Sequence, residues 1–212
     1  MTHLHRTLIV LSILAVCSHP ICGEETEEEA KKTRIEAPSP DGQFAFRYTA
    51  ESDSEKQTYD LIDEGSRKVL MSVAESDPDL GPSARFNMQV LWRPDSKAFA
   101  LTAMLWKRGS YVAVFVRNGS IFHEIKVPEL LADIPEKVKG GKSFPHVAEL
   151  NSQSAKRWQQ DGSLVVEIEN MIDGNDGSIT ATRTVVLSFD RSDTAKVRKS
   201  TIKFAVEKPE GE

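Results

Sequence analysis

The chain has 212 residues, with 27 Lys and Arg against 32 Asp and Glu, for a net charge of −5. No basic patch rises above this acidic balance, which excludes the electrostatic footprint of a nucleic-acid binder. The length suffices for one domain, or a row of small repeats, to bury a core of its own.

The N-terminus reads as a targeting segment. Arg6 supplies the positive charge, and 7–17 is an apolar run without charge. The run is shorter than the ~20 residues a membrane span needs and fits the core of a signal peptide. Cleavage after Gly23 is the preferred reading, after Ser18 the alternative. Leu14-Ala15-Val16-Cys17 offers a lipid anchor through Cys17 as a third reading, with Val16 departing from the small residue usual there. An uncleaved anchor is the fourth. The expected location is therefore the periplasm or outside the cell. The only two cysteines, Cys17 and Cys22, fall inside the segment. The mature chain is expected to have no disulfide and no membrane span, and its core alone must hold it together.

Residues 24–36 are charged and lack an apolar face, so they read as a flexible, solvated leader. The β-rich domain is expected over 37–207, as modules near 37–80, 86–135 and 145–207, with a tail at 208–212. In the first module Phe44, Phe46 and Tyr48 alternate, 57–62 forms a second strand, and a turn at 63–66 leads to a third. In the second, Met88, Val90 and Trp92 alternate. Ala98 to Leu105 is nearly continuous apolar sequence, as expected of a strand buried on both faces. Asn118-Gly119 predicts a tight hairpin. Residues 128–138 read as a short helix plus turn. In the third, a weak strand near 147–158 precedes strands at 164–169, 179–189 and 197–206.

One short pattern recurs three times. It reads Pro40-Asp41-Gly42-Gln43-Phe44-Ala45-Phe46, then Trp92-Arg93-Pro94-Asp95-Ser96-Lys97-Ala98-Phe99-Ala100-Leu101, then Trp158-Gln159-Gln160-Asp161-Gly162-Ser163-Leu164-Val165-Val166. Each copy is a tight turn followed by an apolar strand. The spacings between the Asp residues, 54 and 66, suit a blade of ~40–50 residues plus a variable loop. The pattern resembles the blade signature of TolB-type β-propellers, most closely around Trp92. The first copy lacks the Trp, and the third has Gln160 where Pro is expected. Three modules are too few for a closed ring, which has typically 4–8 blades. The expected fold is thus all-β: three propeller-like antiparallel meanders in an open or partial propeller, with a β-sandwich as the alternative. Pairing into a six-module homodimer is one way to cover an open edge. The resemblance implies an interaction platform in the periplasm, or a propeller beside a peptidase domain, which this chain lacks.

Catalytic chemistry is thin. His123 and His146 are the only histidines beyond the signal segment and belong to separate modules; no Ser sits in a Gly-x-Ser-x-Gly elbow. Asp173, Asn175 and Asp176 resemble a fragment of a calcium loop, but the spacing is short and no closing Glu follows; a polar hairpin tip is the simpler reading. Trp106, Lys107 and Arg108 look like a hairpin tip presenting an aromatic between cations, a candidate hot spot for a partner. The sequence therefore points to an exported, non-enzymatic β-repeat protein without a cofactor. Its expected partner is an envelope or extracellular protein. A small-ligand or glycan-binding module is the alternative, and a hydrolase a more distant one.

Overall fold

A computed structural model describes residues 32–50, 56–75, 87–106, 109–189 and 194–209, with backbone alone at 75 and 104–106. The signal segment, Cys17 and Cys22 lie outside the described residues. Three four-stranded antiparallel sheets follow one another along the chain, each a simple meander. The first holds β1 (Lys32–Glu36), β2 (Phe44–Ala50), β3 (Gln57–Asp63) and β4 (Val69–Glu75). The second holds β5 (Asn87–Trp92), β6 (Ala98–Trp106), β7 (Gly109–Asn118) and β8 (Ile121–Ile125). The third holds β9 (His146–Trp158), β10 (Leu164–Gly174), β11 (Gly177–Phe189) and β12 (Ala195–Glu207). None closes into a barrel.

The expected all-β architecture of three meander modules is thus the observed one. The strand Ala98–Trp106 explains why the sheets stack. Its alternate residues point to opposite faces, as the two-residue period of a strand demands, and both sets are apolar. Phe99, Leu101 and Ala103 join Phe44, Phe46, Tyr59 and Leu61 of the first sheet in one core. Ala100, with Val112 and Val114 from β7, joins Leu164, Val166, Ile168, Val185 and Leu187 of the third sheet in another. The middle sheet is therefore buried on both sides, and the outer two flank it.

The end faces of this stack differ from its seams. On the third sheet, Thr180, Thr182 and Thr184 alternate with the core residues Ala181 and Val185 and look away from the middle sheet. Beside them Lys156 Nζ pairs with Glu167 at 2.8 Å. On the first sheet the corresponding face carries the cross-strand pair Arg47–Asp60, at 3.2 Å.

The recurring turn has one geometry with three spellings. In each copy the Asp side chain accepts the backbone N–H two residues on: Gln43 to Asp41, Lys97 to Asp95 and Ser163 to Asp161. The residue after the Asp has positive φ in all three, 69° at Gly42, 57° at Ser96 and 78° at Gly162. That requirement explains two glycines. Ser96 accepts the strained conformation and uses its side chain: its Oγ takes the N–H of Asp41, 3.0 Å away in the first module.

The two tryptophans of the pattern tie modules together. The Trp92 indole N–H donates to the Ala37 carbonyl at 2.9 Å, and the Trp158 indole N–H to the Leu91 carbonyl at 2.9 Å. Ala37 and Leu91 occupy the same place, four residues before the Asp of their own module. Each Trp thus reaches back to the module before it, rather than only covering the start of its own. Among the described residues no sheet precedes that of the first copy, and this copy has no Trp.

Several boundaries differ from the sequence expectation. The stretch read as a solvated leader ends in β1, which pairs with β2 from Lys32↔Ala50 to Glu36↔Phe46. Only Glu136–Lys139 is helical in the stretch read as helix plus turn; we label it α1. Pro128 and Pro135 disfavour helix at Val127 and Ile134, the residues before them, and 127–135 forms neither helix nor strand. It is nonetheless anchored, with Leu130 and Ala132 buried in the second core. The hairpin after β7 centres on Gly119 and Ser120, because Asn118 pairs with Ile121.

Candidate functional site

A cleft of about 410 Å³ opens between the second and third modules. Its walls come from the start of β7, the irregular segment 127–131 and the first half of β9. The β9 wall is shaped by a bulge. Glu169 of β10 faces Ser152 and Met171 faces Glu149, so Leu150 and Asn151 together oppose Asn170. Bulges re-aim side chains and increase local twist. Here Asn151 takes φ 46°, a left-handed conformation that Asn tolerates better than most residues. Its Oδ1 accepts the Ala132 N–H at 2.8 Å and so pins the segment that follows β8. The side chain of Leu150 is left 55% exposed among the cleft-lining residues.

The floor is stitched by polar contacts across the module boundary. Ser110 Oγ lies 2.8 Å from Ser152 Oγ and donates to the Gln153 carbonyl at 2.6 Å. The Val112 N–H donates to Gln153 Oε1 at 3.1 Å. Tyr111 also lines the cleft; burial, reinforced by the Glu124 carboxylate, raises its phenol pKa and keeps it protonated. The arrangement offers a shaped, partly apolar depression with an exposed leucine.

A second depression, of about 480 Å³, lies between the turns of the second and third modules. Its charges satisfy one another. Arg93 donates to both carboxylate oxygens of Asp95, at 2.7 and 3.0 Å, and its guanidinium lies 5.8 Å from the Trp158 ring centroid. Arg198 donates to Asp161 at 2.6 Å. Hydrogen bonds from the Ser163 hydroxyl and Arg198, with the Ser163 N–H, hold Asp161 down at about 2. For Asp95, burial pushes the carboxyl up, but the Arg93 and Lys97 hydrogen bonds outweigh it and the net shift is downward. Carboxylates held ionised in this way suit turn-making better than proton transfer at neutral pH.

The residues singled out in the sequence fall in different places. Trp106 ends β6, its backbone opposite Gly109; Lys107 and Arg108 lie outside the described residues. This hairpin end adjoins the cleft in the chain, since Ser110 is a cleft residue. Asp173, Asn175 and Asp176 belong to the β10–β11 hairpin tip. Asp176 Oδ2 accepts the Ser143 N–H at 3.1 Å, and Asp173 faces His146 across the ladder. A Cβ at Gly174 would lie 2.8 Å from the Ser143 carbonyl oxygen, and one at Gly177 would collide with the Glu207 carbonyl. Close backbone approach accounts for both glycines of the tip. Among the described residues, no group of three or more His, Cys, Asp or Glu is placed to hold a metal ion. His123 on β8 and His146 on β9 lie in different sheets.

The cleft itself had no sequence signature. Leu150-Asn151 falls inside the stretch read as one weak strand, and only the pairing with β10 reveals a bulge. The chain matches no protein-family model and no curated protein.

Proposed function

We propose that the chain is an exported, non-enzymatic β-repeat protein that binds a macromolecular partner in the periplasm or outside the cell, and that the cleft between its second and third modules receives that partner. The observation that carries this reading is Leu150, turned outward by a bulge at a cleft large enough to accept a side chain. An exposed apolar side chain beside a shaped depression, with its polar floor already hydrogen-bonded, can be covered by a partner without leaving buried polar groups unpaired. The signal-like segment at 7–17 supports export. The resemblance to TolB-type repeats supports an interaction platform, and Trp106 with Lys107 and Arg108 on the adjoining hairpin would extend the contact.

The test places a photo-crosslinking amino acid at position 150 and, as a control, at position 182 on the end face of the third sheet. Crosslinking is done in the envelope fraction of the protein's own host. A saturable adduct from position 150 alone, competed by untagged protein, is the expected result. Equal labelling from both positions, or none from 150, would sink the proposal. A small-ligand reading is favoured by one observation, the cleft volume, which falls in the ~300–1,000 Å³ range of ligand pockets. It predicts a ligand-dependent rise in melting temperature that Leu150→Asp abolishes.

A further inference from the structure

We propose that the free edge of β12 takes an acidic, extended peptide segment as a fifth strand of the third sheet. This edge lies across the sheet from β9 and the cleft, and the inference does not depend on the reading of the cleft.

Among the described residues, β12 ends its sheet and pairs only with β11, from Ser178↔Glu207 to Phe189↔Ala195. Among the described residues, the backbone of its other side meets another segment at the start, where the Ala195 N–H donates to the Lys126 carbonyl at 2.9 Å. A strand of 13 residues is long for an edge. Such an edge is a template for another strand unless something guards it.

The two faces of β12 carry different chemistry. Facing the core side, opposite Leu187, Arg183 and Ile179, stand Val197, Ile202 and Val206. They are 39%, 41% and 56% exposed. On the other face, opposite Val186 and Thr182, stand Lys199 and Lys203. The strand also carries Lys196 and Arg198, the latter already paired with Asp161, and one acid, Glu207, in a chain of net charge −5. Lysines alone would be an ordinary guard against edge pairing. A guard does not account for three exposed aliphatic side chains on the opposite face of the same strand.

The charge pattern selects among occupants. A second copy of β12 laid antiparallel about Thr201 would set Lys199 against Lys203 twice, and like charges directly opposite destabilise a strand pair. A segment with Glu or Asp on one face and Val or Ile on the other matches both faces at once. The ladder would supply main-chain hydrogen bonds, and the alternating side chains the selectivity.

The test uses the mature chain and a fluorescent seven-residue peptide alternating Glu with Val or Ile. Anisotropy is expected to show saturable binding that weakens with salt and falls at least about tenfold in the Lys199→Glu/Lys203→Glu variant. Hydrogen exchange of the β12 amides is expected to slow when the peptide is bound. Two control peptides are expected to fail: one with Lys replacing Glu, and one with Pro at alternate positions, which cannot complete the ladder. Should the variant lose its fold, the wild-type chain with the two control peptides decides. Binding of the Pro peptide at equal strength, no change in exchange at β12, or no binding of the acidic peptide at millimolar concentration would each overturn the proposal. So would concentration-dependent self-association through β12.

Discussion

The two seams of the stack are built from the same repeated turn and differ in nearly everything else. The seam between the first and second modules is aromatic. Phe99 packs against Phe46 at 5.1 Å, Trp92 at 5.0 Å, Phe115 at 4.7 Å and Phe122 at 5.5 Å between ring centroids. Among the described residues its polar ties include the Trp92 indole N–H to the Ala37 carbonyl and the Asp41 N–H to the Ser96 hydroxyl. The seam between the second and third modules is aliphatic and stitched. Besides the Trp158 indole, the Ala155 N–H donates to Thr102 Oγ1 at 3.1 Å, and Ser110 and Gln153 bond across the boundary. Large flat rings fill a seam by themselves. Smaller aliphatic groups leave backbone groups that need partners, and they leave room for a cleft.

This contrast can be broken most severely at Phe99. Phe99→Ala removes the ring that touches four others, and a loss of about 3–5 kcal/mol is expected from urea unfolding of the chain. A loss below about 1 kcal/mol would mean that the aromatic seam is not what joins the first two modules. The next effect in size is Trp158→Phe, which keeps a ring but leaves the Leu91 carbonyl without its donor. About 1–3 kcal/mol is expected. Because the stitched seam has other ties, hydrogen exchange should rise first near 151–158 and leave the aromatic seam protected.

Acid acts on the shared turns rather than on either seam. Asp161 is held at about 2, against an ordinary 3.8, by the Ser163 and Arg198 hydrogen bonds. Asp41 is also lowered: burial alone would raise it, but the Ser39, Gln43 and Ser96 hydrogen bonds prevail. A carboxyl whose pKa is lower in the folded state stabilises the fold above its unfolded value and ceases to do so as pH falls through the folded one. Stability is therefore expected to be level above about pH 4 and to decline toward about pH 2. Asp161→Asn should flatten part of that decline in a thermal-melt series, and an unchanged profile would remove Asp161 from the account. The smallest effect is expected at Ser96. Ser96→Gly relieves a positive φ and loses the bond to the Asp41 N–H, two terms of similar size and opposite sign. A net change within about 0.5 kcal/mol is expected, together with faster exchange at the Asp41 amide.

The sheets were legible because their cores are written in alternation. Phe44/Phe46, the run from Ala98 and Ile202/Phe204/Val206 each announce a strand, and the three turns announce the module count. Where the signal failed, a side-chain pattern was missing or shared. Lys32–Glu36 is charged and exposed, and only pairing with β2 makes it a strand. Residues 127–135 have apolar spacing that suits a helix, but their polar backbone is satisfied by Asn151, Asn170 and Arg183 from the third sheet. The cleft was illegible for the same reason. It depends on a register shift between β9 and β10, and register is a relation between strands that neither strand carries alone.

The backward reach of Trp92 and Trp158 also gives the row of modules a direction. Growth at the C-terminal end requires an incoming module to bring its own Trp, aimed at the carbonyl of Arg157, the counterpart of Ala37 and Leu91, and the third sheet to present an apolar face in place of Thr180, Thr182 and Thr184. Growth at the N-terminal end requires rewriting the first module, since Pro38 stands where the Trp would be. A permuted arrangement that placed the first module last would assemble a seam without its indole.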